Sequence, residues 1–162
     1  MKIILVFVLS ILSAFFQQYN HINNIPQRVT YLSKVIDTSR YAILNYDKKF
    51  ENLYGFNKEV QPATLSNAEI EQIEELINKR ISKYNSRYSS IRTLWKYYKQ
   101  LVAVTNSNGE KEVWINCFCS IGDRLYWRKE IVFVLDGSIC YFNIKVNLNT
   151  NVAYDLMVNG NG

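Results

Sequence analysis

The side chains that could perform chemistry are few in this chain of 162 residues. It has one histidine, His21, and three cysteines, Cys117, Cys119 and Cys140. A single histidine argues against a nucleophile–histidine–acid set and against most metal sites. No glycine-rich phosphate loop, HExxH motif or GxSxG motif occurs. The sequence therefore predicts no catalytic residue, no metal ligand and no cofactor, and it favours a binding protein over an enzyme.

A basic stretch in the middle of the chain is the first candidate binding site. No Asp or Glu occurs between Glu75 and Glu110, and aromatic residues such as Trp95 alternate with the basic ones. We call five of its cations the basic patch: Lys83, Arg87, Arg92, Lys96 and Lys99. Cations interleaved with aromatic rings can bind a charged polymer by ionic contacts and stacking. Alternatively, about half of these charges only complement the carboxyl end of a helix.

One long helix is predicted to carry part of this patch. Ser66 and Glu69 have the spacing of a capping box, in which each side chain satisfies an amide of the first turn. Apolar residues then recur at helical spacing, as in Ile70, Ile73, Ile77 and Ile81. We expect a helix from Asn67 to about Tyr88.

The rest of the chain is predicted to be β-structure. Segments rich in β-branched and aromatic residues lie at 40–46, 98–105, 112–119, 130–135, 139–148 and 152–158. A turn is expected at Asn106–Gly109, and Asp136-Gly137 is typical of a two-residue type I′ hairpin. The expected fold is α+β, with one long helix packed on a four- to five-stranded antiparallel meander sheet.

The hairpin at Asp136-Gly137 also predicts the state of the cysteines. A two-residue loop sets the register, so that Val134 would pair with Ile139 and all three cysteines would face the core. Cys140 would then lie two strands from the other two, at about 9–10 Å. Disulfide-linked Cα atoms lie within about 6.8 Å. Three buried free thiols are therefore expected, with a disulfide from Cys140 to Cys119 or Cys117 as the alternative.

The other face of the predicted sheet is the second candidate site. We call it the aromatic face, and it comprises Trp114, Phe118, Val132, Val134 and Tyr141. A solvated sheet face would be mostly polar. Because large exposed apolar patches are rare on monomers, either residues 19–39 or residues 47–64 cover it. Otherwise, it is a contact surface for a protein partner or for a second copy in a homodimer.

The first 18 residues are predicted to be a signal peptide. Lys2 precedes an apolar run from Ile3 to Phe16, about 14 residues long, and a membrane-spanning helix needs about 20. A retained N-terminal anchor is the alternative, because Leu12 stands where a cleavage site prefers a small residue. Residues 19–39 would form an extension and residues 40–162 the domain. We expect export to the periplasm or the outside, with membrane contact through the signal peptide only.

The order of one strand, a long helix and antiparallel strands is similar to the cystatin-like fold over about residues 40–148. The segments TLSNAEIEQIEELINKRISKYN, GEKEVWINCFCS and DGSICYFNIKVNLNT resemble those of small exported bacterial proteins of uncharacterised function. This resemblance implies the fold and brings no known activity. Inhibitory cystatins carry a QxVxG motif and a Pro-Trp hairpin. Here, Val104 replaces the glycine after Gln100, and the Asp136-Gly137 hairpin lacks Pro-Trp.

The charge of the chain narrows the class of partner. The formal net charge is +5, and without Lys2 there are 18 basic and 14 acidic residues. A modest positive charge on an exported protein favours an anionic envelope polymer or an acidic protein over nucleic acid. The main hypothesis is a non-enzymatic binding or envelope-associated domain. The alternatives are a small-ligand-binding or hydrolytic protein with a pocket between helix and sheet and, more weakly, a cysteine-protease inhibitor.

Overall fold

The computed structural model describes residues 37–57, 59–88 and 91–160, which belong to one compact α+β unit. The predicted signal peptide at 1–18, most of the predicted extension at 19–39 and His21 lie outside the described residues. In the described part of the chain, no helix combines the length and the apolar character that crossing a membrane requires.

Two α-helices occur among the described residues, a short α1 (Glu51–Tyr54) and a long α2 (Asn67–Tyr88), and the bounds of α2 are those predicted. The capping box is formed: the Glu69 amide donates to Ser66 Oγ at 3.3 Å, and the Ser66 amide donates to Glu69 Oε2 at 2.8 Å. The four isoleucines at 70, 73, 77 and 81 are buried. The capping box thus determines where α2 begins, and the row of isoleucines determines which face of α2 packs on the core.

The described strands form one six-stranded sheet. They are β1 (Tyr41–Leu44), β2 (Gln61–Pro62), β3 (Tyr98–Thr105), β4 (Lys111–Phe118), β5 (Tyr141–Asn147) and β6 (Val152–Val158). The order is β1-β3-β4-β5-β6, with β2 paired to the far end of β3. β1 runs parallel to β3, and the other pairs are antiparallel. The expectation of a strictly antiparallel meander is wrong because the chain returns from β1 through a crossover that contains α2.

The predicted strand at 130–135 and the predicted hairpin after it are absent from the described structure. β4 pairs directly with β5, with Phe118 opposite Tyr141, so no place remains between them. Gly137, at φ 90°, instead leads into a 3₁₀ turn, Ser138–Cys140. A Cβ on Gly137 would lie 2.5 Å from the Tyr141 ring, so both the backbone angle and the close contact require glycine here.

Two polar side chains of the sheet bind the 127–132 segment in place of a strand. Gln100 Nε2 donates to the carbonyl oxygens of Trp127 and Glu130, each at 2.6 Å, and its Oε1 accepts from the Val132 amide at 2.9 Å. Asn116 Nδ2 donates to the Val132 carbonyl at 2.7 Å and to Gln100 Oε1 at 3.0 Å. Buried backbone groups need partners, and these amides supply them without a strand ladder.

Apolar side chains pack on both faces of the sheet. On one face, the isoleucines of α2 pack against alternate residues of β3, β4 and β5. On the other face, α1 packs through Tyr54 on Trp114, and the 121–134 segment packs through Trp127 and Val132 on Phe118. The second face is therefore covered by the chain itself, partly by the 47–64 segment, as one of the two alternatives expected.

A lysine is buried between α2 and the sheet. Lys99 is 1% exposed, and its Nζ lies 3.3 Å from Glu74 Oε1 on α2 and donates to the Leu94 carbonyl at 3.0 Å. The same Nζ lies 4.8 Å from the centre of the Tyr41 ring. Burial, together with the Glu74 carboxylate, raises the pKa of Tyr41 well above its usual value. This cluster joins α2, β1, β3 and the 3₁₀ turn at Leu94–Lys96.

Replacing Glu69 tests the electrostatics at the start of α2. The Lys111 ammonium, with the Ser66 amide, lowers the pKa of Glu69 below its usual 4.5. Because this folded-state pKa is lowered, the ionised carboxylate stabilises the fold above 4.5, and the stabilisation is lost as pH falls through the lowered pKa. Glu69→Gln should reduce the free energy of unfolding by about 1 kcal/mol at pH 7 and by progressively less below pH 4.5. Urea titrations across pH measure this, with the exposed Glu75→Gln as control; a pH-independent loss would contradict it.

Removing the buried lysine tests the ion pair under the helix. Lys99→Ala leaves Glu74 without its cation and opens a cavity, so we expect a loss of about 3 kcal/mol in the free energy of unfolding. Lys96→Ala, an exposed lysine three residues earlier, should change it by less than about 0.5 kcal/mol. Urea unfolding followed by circular dichroism compares the two. Equal losses would show that the buried pair contributes nothing specific.

Candidate anion-binding cleft

The structure places most of the aromatic face in the interior. Trp114, Phe118 and Val132 are buried, and Val134 and Tyr141 are half-buried. The expectation of an exposed contact surface is therefore wrong for the first three, because α1 and the 121–134 segment pack on them. The aromatic content of this face is explained by a second core.

The basic patch divides into three parts. Lys83 and Arg87 are exposed on α2, whereas Arg92 and Lys96 line a cleft at the end of the sheet. Lys99 is buried beside Glu74 and cannot belong to a surface patch. The side chain of Lys99 points to the helix side of β3, and this orientation separates it from the other four cations. The spacing of charges along the chain does not show this orientation.

The cationic cleft is a cavity of about 360 Å³ where β1 and β3 begin and β4 ends. It is lined by Arg40, Arg92, Trp95, Lys96, Tyr98, Cys119, Ser120 and Ile121. Three lining side chains are cations and none is a carboxylate. Trp95 is 65% exposed, so that its indole face is accessible to a ligand. Three positive charges around an exposed ring can hold an anionic group and stack a flat or ring-shaped neighbour of that group.

Arg40 is held in place by contacts from three directions. Its Nη1 donates to the Lys96 carbonyl at 3.2 Å, its guanidinium lies 4.7 Å from the centre of the Tyr98 ring, and Asp37 is 4.0 Å away. Arg40 is not recognisable as a site residue from the amino-acid sequence, because only the parallel pairing of β1 with β3 brings it beside Tyr98. No pattern in the chain indicates that pairing.

A disulfide forms part of the wall of this cleft. Cys119 and Cys140 are bonded, with Cα atoms 5.1 Å apart, and the Cys119 amide donates to the Cys140 carbonyl at 3.0 Å. The expectation of three free thiols is wrong for this pair, and the alternative disulfide is present. Since β4 and β5 are neighbours, these cysteines face each other instead of lying two strands apart.

Cys117 is the one free cysteine, and it is fully buried in the helix-side core. Burial raises the pKa of its thiol, so that the reactive thiolate is disfavoured, although the nearby Lys99 acts in the opposite direction. Within residues 37–57, 59–88 and 91–160, no group of three or more His, Cys, Asp or Glu side chains is arranged to hold a metal ion. The lining of the cationic cleft, with three cations and no carboxylate, is suited to binding an anionic group.

The disulfide should contribute to stability through the loop that it closes. Its cysteines are 21 residues apart, and closing such a loop in the unfolded chain is worth about 3 kcal/mol. The double variant Cys119→Ser with Cys140→Ser should lose about that amount in urea unfolding, and dithiothreitol should then have no further effect. Cys117→Ser is the control, because it makes the same substitution at the free cysteine and leaves the disulfide intact. Dithiothreitol should still lower the free energy of unfolding of this variant. Detection of more than one thiol per unfolded, unreduced chain would contradict the pairing.

Comparisons of the chain with protein-family models, with curated proteins and with solved structures find no match. The resemblance to cystatin-like exported proteins therefore stays a prediction. One detail of that resemblance can be placed in the fold: Gln100 is buried in the middle of β3, where it binds the 127–132 segment. It is not presented to a protease as the glutamine of a QxVxG hairpin would be.

Proposed function

We propose that this chain is an exported, non-enzymatic binding domain that holds an anionic polymer of the cell envelope in the cationic cleft. The observation that carries the proposal is the composition of that cleft, with Arg40, Arg92 and Lys96 around an exposed Trp95 and no lining carboxylate. Anionic groups bind best where several cations converge and are held in place before binding.

The geometry favours a repeating ligand over a single small ion. The cleft is open to solvent along Trp95, and Lys96 Nζ lies over its indole at 5.3 Å from the ring centre. Lys83 and Arg87 on α2 add positive charge outside the cleft, which attracts a polyanion at long range. A polymer of charged sugars can therefore place one acidic group on the cations and one sugar ring on Trp95.

A pair of matched double variants tests the proposal. Arg92→Gln with Lys96→Gln removes two cations of the cleft, and Lys83→Gln with Arg87→Gln removes two cations of α2. With polygalacturonate as probe, the cleft variant should bind about tenfold more weakly, and the α2 variant within about twofold of the unchanged protein. Isothermal titration calorimetry at two salt concentrations provides the measurement, with neutral dextran as the control ligand.

Three outcomes would count against the proposed function. Equal losses in both double variants would mean that the polymer follows net charge and not the cleft. Equal affinities for neutral dextran and for polygalacturonate would mean that the cations of the cleft do not contribute to binding. Trp95→Ala should weaken polygalacturonate and leave polyphosphate, which has no sugar ring, unchanged. If polygalacturonate binds the Trp95→Ala variant as tightly as the unchanged protein, the indole ring does not contact the sugar.

A further inference from the structure

A second cavity lies on the sheet face opposite α2, and it shares no lining residue with the cationic cleft. We call it the aromatic cleft. It has a volume of about 610 Å³. One side is formed by the end of β1 and the chain after it, from Leu44 to Phe50, and the other by the Lys129–Ile131 segment. A cavity of this size suits a small organic ligand. The alternative function predicted from the sequence located such a pocket between helix and sheet, whereas this one is on the other side.

The walls of the aromatic cleft are held before any ligand arrives. Gln100 Nε2 fixes the Lys129–Ile131 side through the Glu130 carbonyl at 2.6 Å. On the opposite side, the Asp47 carboxylate accepts from the Lys49 amide at 3.0 Å, which starts the 3₁₀ turn Lys48–Phe50. The ring of Phe50 then lies 6.3 Å from that of Tyr54. A preformed cavity loses little conformational entropy on binding.

The innermost lining residue of the aromatic cleft is Tyr54, which is 1% exposed. Its ring meets Trp114 edge-on, with centres 5.2 Å apart, and Tyr46 at 5.5 Å. The Tyr54 hydroxyl and Trp114 Nε1 are both buried, and neither makes a hydrogen bond of normal geometry with the described residues. Burial raises the pKa of Tyr54 to about 12, and the nearby Asp47 amide partly opposes this rise.

A hydroxyl left without an acceptor in the wall of a cavity needs an explanation, because buried polar groups are nearly always paired. Phenylalanine would fill the place of Tyr54 without that cost. Tyr54 lines the cleft and Trp114 does not, so the Tyr54 hydroxyl is the buried donor that lies closest to a molecule at the base of the cleft. The base of the aromatic cleft is thus suited to an oxygen atom at the inner end of a ligand.

The outer end of the aromatic cleft has a small excess of positive charge. Lys48, Lys49 and Lys129 line it together with Asp47 and Glu130. Lys49 is paired with Asp47 at 3.0 Å, which leaves two ammonium groups and one carboxylate. This balance favours one anionic group on the ligand, at the end that faces solvent.

From the lysines at the outer end, the aromatic walls and the unpartnered Tyr54 hydroxyl at the base, we propose that the aromatic cleft binds a planar hydroxyarenecarboxylate. Its carboxylate lies between Lys48 and Lys129, its ring packs against Tyr46 and Phe50, and its hydroxyl oxygen accepts from Tyr54. This proposal does not depend on the function proposed for the cationic cleft, because the two clefts have no residue in common.

The test uses 6-hydroxy-2-naphthoate as probe, with 2-naphthoate lacking the hydroxyl and 2-naphthol lacking the carboxylate. We expect saturable one-to-one binding of 6-hydroxy-2-naphthoate, and about tenfold weaker binding of each comparison compound, by fluorescence titration on the full chain. Lys48→Gln with Lys129→Gln should weaken 6-hydroxy-2-naphthoate about tenfold and leave 2-naphthol unchanged. Arg92→Gln with Lys96→Gln, in the other cleft, should change neither.

Tyr54→Phe supplies a second and independent measurement. It should bring the affinity for 6-hydroxy-2-naphthoate down to that for 2-naphthoate and leave 2-naphthoate unchanged. In the free protein, the same variant should raise the urea midpoint, because a buried hydroxyl without an acceptor is removed. Equal affinities for the three probes, or no saturation up to about 1 mM, would overturn the proposal. So would equal effects of the Lys48→Gln/Lys129→Gln variant and the Arg92→Gln/Lys96→Gln variant on the binding of 6-hydroxy-2-naphthoate. If Tyr54→Phe fails to fold, the Lys48 and Lys129 variant decides alone.

Discussion

A lysine ammonium that leaves water must find partners in the protein, and Lys99 obtains them from three different parts of the chain. Glu74 comes from α2, the Leu94 carbonyl from the turn before β3, and the Tyr41 ring from β1. Each of these elements must therefore take one position relative to β3. The parallel strand β1, which departs most from the expected meander, lies where its Tyr41 can pack on this buried charge.

The second face of the sheet depends on a comparable polar constraint. Gln100 and Asn116 are opposite each other on β3 and β4, and they bind backbone groups of the 127–132 segment. With that segment in place, Trp127 and Val132 can cover Phe118, and the face does not remain open to partners. What could have been a contact surface on a bare sheet is here a second core with a cleft beside it.

Both candidate binding sites lie where elements distant in sequence meet. Arg40 precedes β1, Arg92 and Lys96 precede β3, and Cys119 follows β4, so the cationic cleft exists only once the sheet has formed. The aromatic cleft likewise needs the segment after β1 and the Lys129–Ile131 segment on one face. Each site combines charges near solvent with aromatic rings, an arrangement that suits recognition of anions.

The features that depend on residues close together in the chain can be predicted from the amino-acid sequence. The bounds of α2, its capping box, the turn at Asn106–Gly109 and the places of five strands follow from local spacing and turn chemistry. Such features involve residues within a few positions of each other, so their energies can be judged along the chain.

The order of the strands in the sheet depends on contacts between distant residues, and so do the disulfide, the burial of Lys99 and the two clefts. Asp136-Gly137 has the composition of a hairpin turn, but the direct pairing of β4 with β5 leaves no place for the strand before it. Because the 130–135 segment does not form a strand between β4 and β5, Cys140 lies next to Cys119 and Trp127 packs on Phe118. The physical reason is that a strand can satisfy its backbone with any suitable neighbour, and side chains such as Gln100 compete for the same groups.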